Sequence, residues 1–192
     1  MRKLNYSNVL ALVAIGLLFV ATPNSQAQKL PKAYEIQAQA MGEAQQMGQN
    51  FNITLHIEEY STPEEQQGLL AAFNQKGNEG LVNALSKMKS KGRMAITGTL
   101  GYEVVYIREW DQPDGSTKLR LVTNRPITFG EAWSDSRSMD YDLSAIEVVL
   151  SPDKKKNTGV MYPLAKLKLN KDNHIEVELN QNPWKLVNIM KR

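Results

Sequence analysis

The chain has 192 residues, enough for one domain with a core of its own but short for two. It contains no cysteine, which excludes disulfides, zinc–thiolate sites and cysteine nucleophiles. With 23 Lys+Arg against 20 Asp+Glu the net charge is +3, and the basic run Lys154–Lys156 reads as a loop tip. We therefore expect no nucleic-acid partner.

Residues 1–27 have the order of a secretory signal peptide. Arg2 and Lys3 supply the positive start, an apolar run follows at residues 9–21, and a cut is expected after Ala27. The apolar run is shorter than the roughly 20 residues that span a bilayer. Because this leader holds two basic and no acidic residues, the charge of the remaining chain is only +1. The sequence thus predicts a secreted or periplasmic protein with no membrane span in the mature chain.

Residues 28–50 are rich in glutamine and alanine and show no sustained apolar period. These residue types favour helix but offer little surface to bury. We expect a spacer that is flexible or partly helical, with helix over residues 34–47. The single domain is expected to follow at residues 51–192.

A helix is predicted to begin at Pro63. Thr62 is a cap residue, proline suits the first helical position, and Glu65 can reach back to the cap amide. Gly77 is a suitable left-handed terminator, and Asn78 can cap a second helix. The pattern predicts a two-helix hairpin.

Several segments have the alternation and residue types of strands. Since no helix-length segment separates those that follow residue 93, they are expected to pair antiparallel with their neighbours in sequence. The expected fold is α+β, with a curved, half-barrel-like antiparallel meander of about seven or eight strands. It would pack on the helix hairpin, which is inserted after the first strand. The strand candidates are residues 51–58, 94–97, 102–110, 117–122, 145–150, 160–169, 175–179 and 185–189.

Charge alternation in residues 164–179 predicts a hairpin with a definite register, because opposite charges then face each other across the two strands. This register leaves a three-residue loop at residues 171–173, with Asn173 in the left-handed position. Pro163 cannot donate to a ladder and so marks a bulge or an edge. The predicted pairs are Lys168 with Glu176, Lys166 with Glu178, Leu169 with Ile175 and Leu167 with Val177.

No motif of a phosphate-binding loop, a nucleophile elbow or a zinc protease is present in the sequence. His56 and His174 are the two histidines, and they are too few and too far apart in sequence to predict a metal site. We therefore expect no catalytic residue, no metal and no cofactor, and hence no enzyme. Carboxylate chemistry stays open, with Asp135, Asp140 and Asp142 as its candidates.

The segment at residues 123–142 is the best candidate for a ligand site. As a long connection it could place aromatic surface and a fixed cation at one end of the sheet. The alternative is an ordinary crossover whose aromatics pack into the core. The candidate ligand-binding residues are Tyr106, Arg125, Trp133, Arg137 and Tyr141.

Three functions remain open from the sequence. The first is a non-catalytic exported module that binds a small amphipathic molecule in a half-barrel pocket. The second is an envelope interaction protein that docks through the glutamine-rich arm or an exposed strand edge. The third is a carboxylate-based hydrolase. Neither the ligand or partner nor the oligomeric state follows from the sequence.

Overall fold

The computed structural model describes residues 33–43, 47–127, 143–171, 173–181 and 183–192. These residues form nine strands, one α-helix and a short 3₁₀ turn at Lys154–Lys156. The elements are β1 Tyr34–Gly42, β2 Asn50–Ile57, α1 Pro63–Leu85, β3 Gly92–Ile96, β4 Tyr102–Asp111, β5 Thr117–Thr123, β6 Leu143–Leu150, β7 Thr158–Leu169, β8 Ile175–Gln181 and β9 Trp184–Lys191.

The strands form a closed barrel. Every pairing is antiparallel, and β1 to β7 follow one another in sequence order. Strand β9 then inserts between β7 and β1 and completes a barrel of eight strands, and β8 lies outside it, paired with the second part of β7. The antiparallel sheet was predicted correctly. The open half-barrel was wrong, because β9 joins its two ends.

Strand β7 connects the barrel to the outer strand. It is 12 residues long. Its first part pairs with β6 and β9, whereas its second part pairs with β8. The β6–β7 register shifts near Pro163, whose carbonyl oxygen accepts a 2.5 Å hydrogen bond from the Ser144 hydroxyl. Of the two alternatives predicted from this proline, a bulge or an edge, the structure shows the bulge.

The barrel interior is filled by apolar side chains from all eight of its strands. Large residues such as Leu55, Ile107 and Trp184 are at most 2% exposed and belong to one packed cluster. An eight-stranded barrel has an interior that side chains can fill. We call this set the interior cluster.

A second apolar cluster lies on the outer face, between the barrel and α1. It joins Leu69, Leu81 and Leu85 of the helix to residues of β4, β5, β6, β7 and β8, among them Tyr106. A bulge in β4 between Val104 and Tyr106 explains why consecutive apolar residues there serve both clusters. We call this set the helix-side cluster.

The predicted two-helix hairpin is wrong, because α1 is a single kinked helix. Its start is as predicted: the Glu65 amide donates to Thr62 Oγ1 at 3.2 Å, and the Thr62 amide donates to Glu65 Oε2 at 2.8 Å. At Gly77 the dihedral angles are φ 60° and ψ −141°, yet the helix resumes and continues to Leu85. Only Lys76 and Gly77 leave helical geometry, and the helix kinks there so sharply that a Cβ on Gly80 would overlap the carbonyl oxygen of Ala72.

Replacing Gly77 with alanine should lower the free energy of unfolding by about 1–3 kcal/mol, because a side chain strains this backbone conformation. The matched control is Gly68→Ala in the same helix, where the added methyl meets open space. That change should raise the free energy of unfolding by about 0.4–1 kcal/mol. Urea unfolding followed by circular dichroism measures both, and effects of the same sign would contradict the assignment of the kink to Gly77.

Residues 34–42 form strand β1 and not the helix expected at 34–47. Ile36 and Ala40 are fully buried in the interior cluster, and β1 pairs with β2 on one side and β9 on the other. The barrel therefore includes residues that precede position 51.

The β7–β8 hairpin largely confirms its predicted register. Three predicted pairs are found, and Asn173 has a left-handed φ of 59°. A bulge next to Leu167 pairs Lys166 with Leu179 in place of Glu178. The predicted ion pair still forms, with Lys166 Nζ 3.6 Å from a Glu178 oxygen.

Among the described residues, no helix combines the length and the apolar character that crossing a bilayer requires.

Candidate functional site

One end of the barrel opens into a pocket of about 470 Å³. At this end β6 ends, β7 begins and β9 ends, so three strand termini and the 3₁₀ turn surround it. We call it the mouth pocket. Its lining residues are Leu150, Ser151, Lys154, Lys155, Asn157, Ile189, Met190, Lys191 and Arg192.

The floor of the mouth pocket is apolar and belongs to the barrel core. Ile189 is 4% exposed and is a member of the interior cluster, against which Leu150 also packs. Met190 is half-exposed and adds apolar surface to the wall. A ligand with an apolar part would therefore rest on the end of an already packed core.

Two cations of the rim come from the 3₁₀ turn. Asp153 caps this turn by accepting a 3.1 Å hydrogen bond from the Lys155 amide. Asn157 ties it down further, because its Oδ1 accepts from the Ser151 amide at 2.8 Å and its Nδ2 donates to the Ile189 carbonyl at 3.0 Å. The exposed side chains of Lys154 and Lys155 therefore extend from an anchored backbone.

The other two cations follow each other along the chain at the end of β9. Arg192 is held by backbone hydrogen bonds of 2.8 and 3.2 Å to Glu35. The Lys191 Nζ lies 3.8 Å from the ring centroid of Tyr34, within the range of a cation–π contact. The carboxylate of Glu35 is 2.9 Å from His56 Nδ1. The rim thus carries four cationic side chains.

A hydrogen-bonded network lies beside this rim, where β1 begins. The hydroxyl oxygens of Tyr34 and Tyr60 are 2.9 Å apart, and Tyr60 also donates to the carboxylate of Glu109. Burial raises the pKa of Tyr34 to about 12, and burial together with the hydrogen bond to Glu109 raises the pKa of Tyr60 further. Both phenols therefore stay neutral near physiological pH, and the ring under Lys191 is held in place.

The predicted ligand-binding residues that the structure describes lie away from the mouth pocket. Tyr106 is 1% exposed in the helix-side cluster, and burial raises its pKa to about 12. Arg125 is exposed, with its guanidinium carbon 5.0 Å from the Tyr102 ring centroid. Trp133, Arg137 and Tyr141 lie outside the described residues, as do Asp135, Asp140 and Asp142, so their roles stay predictions.

Sequence reasoning missed the mouth pocket. The lysines at 154–156 were interpreted as a solvated turn, and the basic pair at 191–192 was not considered. The sequence did contain a signal: the basic segment at 154–156 follows one apolar strand, and the basic pair at 191–192 lies at the end of another. Their convergence requires β7 to pair with both β6 and β9, which the sequence pattern does not reveal.

A second charged cluster lies on the outer face of the barrel and holds β8. Arg120 is 4% exposed; its Nε donates to Glu147 Oε1 at 2.8 Å, and one terminal nitrogen donates to the carbonyl oxygen of Ile175. Lys118 Nζ lies 2.9 Å from the other Glu147 oxygen. Because the charges are paired and bound to the backbone of β8, this cluster has a structural role.

No protein-family model matches this sequence, and no curated protein or solved structure matches it at a significant level.

Proposed function

We propose that this protein is a non-catalytic binding module that holds a small amphipathic molecule in the mouth pocket. One observation carries the proposal: the pocket has an apolar floor continuous with the barrel core and a charged rim. A molecule with an apolar part and a polar head matches both surfaces. The volume of about 470 Å³ also lies within the range usual for small-molecule sites.

The packing of the barrel supports binding at its end. An eight-stranded barrel either fills its interior with side chains or holds one small ligand there. Here Ile53, Leu55 and Trp184 are buried within the interior cluster. The apolar part of a ligand therefore lies on Leu150 and Ile189 at the mouth.

The tyrosine beside the pocket is poorly suited to acid–base catalysis near neutral pH. A general acid or base works best with a pKa near the pH of the reaction. Burial moves the pKa of Tyr34 to about 12, far from neutrality. The proposal includes export to the periplasm or the cell exterior, which rests on the leader-like order of residues 1–27.

A second candidate function is docking of another protein by strand addition. Among the described strands, β8 is the terminal one of the sheet and pairs with β7 on one side. An unpaired edge of this kind can accept a strand from another chain. Native mass spectrometry of protein purified from its source would favour this function if it showed a bound polypeptide and no bound small molecule.

Replacing Leu150 with asparagine should weaken binding of the amphipathic dye anilinonaphthalene sulfonate about tenfold or more, because it makes the floor polar at similar volume. The matched control is Leu100→Asn, since Leu100 is 89% exposed and distant in sequence from every lining residue. That variant should bind the dye like the parent protein. Fluorescence titration measures both, with circular dichroism confirming the fold. Equal affinity of the two variants would refute the mouth pocket as the binding site.

A further inference from the structure

We infer that the ligand of the mouth pocket is a single-chain amphiphile with an anionic head group, and that Lys191 is its prepositioned contact. This inference rests on the proposed function and adds the chemical class of the ligand. The shared chemistry is an oxygen-centred anion, as in a carboxylate or a phosphate monoester.

The distribution of charge is the first argument. Lys154, Lys155, Lys191 and Arg192 line one pocket of about 470 Å³. Like charges brought together repel each other, and an anion between them relieves that repulsion. Asp153, beside the 3₁₀ turn, is 4.0 Å from Lys156, a residue outside the pocket lining. The rim is therefore complementary to a negative head group.

The position of Lys191 is the second argument. Its ammonium rests on the ring of Tyr34, which contacts Tyr60, and Tyr60 in turn donates to Glu109. A long lysine side chain ordinarily loses conformational freedom when it binds a ligand. Here part of that ordering is present before binding, while the ammonium still has N–H groups to donate away from the ring. Tyr34 is thus a positioning residue for the anion contact.

The arrangement of floor and rim is the third argument, and it favours one chain over a bulky group. The apolar floor consists of two side chains, Leu150 at the end of β6 and Ile189 near the end of β9, and both strands end at the rim. A chain on this floor would place its head among the cations. Charge-assisted hydrogen bonds from lysine and arginine to an oxyanion are stronger than those between neutral groups.

The test compares dodecanoate, dodecyl phosphate, dodecyltrimethylammonium and monododecanoylglycerol, which share one chain and differ in the head. Isothermal titration below their micelle concentrations should show the two anions binding about tenfold or more tightly than the neutral glyceride. The cationic amphiphile should bind more weakly than the glyceride. Anion affinity should fall as salt is raised, because the rim is exposed to solvent. A preference for dodecanoate or for dodecyl phosphate would identify the head group and supports the inference in either case.

Variants of the rim sharpen the test. The double variant Lys154→Gln, Lys155→Gln should bind the anions about tenfold more weakly than the parent protein does. Its affinity for the glyceride should stay within about twofold of that of the parent. The control, Lys87→Gln with Lys89→Gln, removes the same charge from exposed lysines beyond the helix and should change neither affinity. Tyr34→Leu should lower the ratio of anion to glyceride affinity about threefold, and Tyr34→Phe, which keeps the ring, should restore it.

The outcomes separate the two proposals. Equal binding of anions and glyceride, with the Leu150→Asn variant still weakened, would overturn the anionic head and leave the binding function standing. No binding of any of the four amphiphiles by the folded protein would overturn the binding function itself. A Tyr34→Leu variant with an unchanged affinity ratio would overturn the role assigned to Lys191.

Discussion

Replacing Trp184 with alanine is expected to lower the free energy of unfolding by about 3–5 kcal/mol. Trp184 is 2% exposed in the interior cluster, and its ring centroid lies 4.8 Å from that of Phe51. It begins β9, the strand that closes the barrel, and pairs there with Met161 of β7 and Gly42 of β1. Its removal leaves a cavity where the two ends of the sheet meet.

Urea denaturation followed by far-ultraviolet circular dichroism measures this loss. Trp184→Phe should lower the free energy of unfolding by less than half as much, because it keeps an aromatic ring against Phe51. Trp110→Ala is the control for loss of a tryptophan outside the interior cluster, since Trp110 is only partly buried on the outer face. It should cost about 1–2 kcal/mol. A loss below about 1 kcal/mol for Trp184→Ala would contradict the closed, packed barrel.

Replacing Arg120 with methionine is expected to lower the free energy of unfolding by a similar amount, about 3–5 kcal/mol. The change leaves the Glu147 carboxylate, 19% exposed, with Lys118 as its ion-pair partner among the described residues, and it removes a donor to the Ile175 carbonyl. The cost has two parts: the partly buried Glu147 carboxylate keeps only one of its two cationic partners, and the Ile175 carbonyl loses a charged donor.

The double variant Arg120→Met with Glu147→Leu should recover most of that loss, because it removes the carboxylate that has lost its guanidinium partner, and Lys118, 25% exposed, can be solvated instead. The control for an exposed pair is Lys166→Met, whose partner Glu178 lies at 3.6 Å and is 40% exposed. It should cost less than about 1 kcal/mol. If Arg120→Met and the double variant were equally destabilised, the cost could not be assigned to the loss of the guanidinium partner of Glu147.

The same pair predicts a response to acid. Burial favours the neutral carboxyl of Glu147 and so raises its pKa. The charge of Arg120, together with the charge and hydrogen bond of Lys118, outweighs burial and holds the pKa of Glu147 below its ordinary value. A carboxyl with a lowered pKa stabilises the fold above its ordinary pKa of 4.5 and loses that contribution as the pH falls through the folded-state value. The stability difference between the parent protein and Glu147→Gln should therefore shrink below pH 4.5. A difference that stays constant across this range would contradict the pKa shift.

Much of the local structure could be predicted from the sequence. The strands β2 to β9, the start of α1 and the bulge near Pro163 each depend on residues within one short segment. The charge pairs of the β7–β8 hairpin specify their register because the two strands are joined by a short loop. Gly77 was predicted to end the helix; it has the positive φ of a terminator, but the helix resumes after it.

Strand β1 shows where local reasoning fails. Tyr34, Ile36, Ala38 and Ala40 alternate with polar residues, as a strand requires, but alanine buries little surface and favours helix. What makes this segment a strand is pairing on both sides, with β2 and with β9. The second partner lies at the far end of the sequence, so no short window contains the information.

The sequence by itself therefore determined the absence of disulfides, the antiparallel strands, the capped start of the helix and most of the hairpin register. Apart from the first, each of these depends on the pattern of neighbouring residues. Only the tertiary structure decided that β9 pairs with β1 and closes the barrel. The same closure brings the lysines at 154–155 to the basic pair at 191–192. Long-range strand pairing depends on how all the apolar faces of the strands can be buried together. A site formed by the ends of several strands therefore cannot be located before that pairing is known.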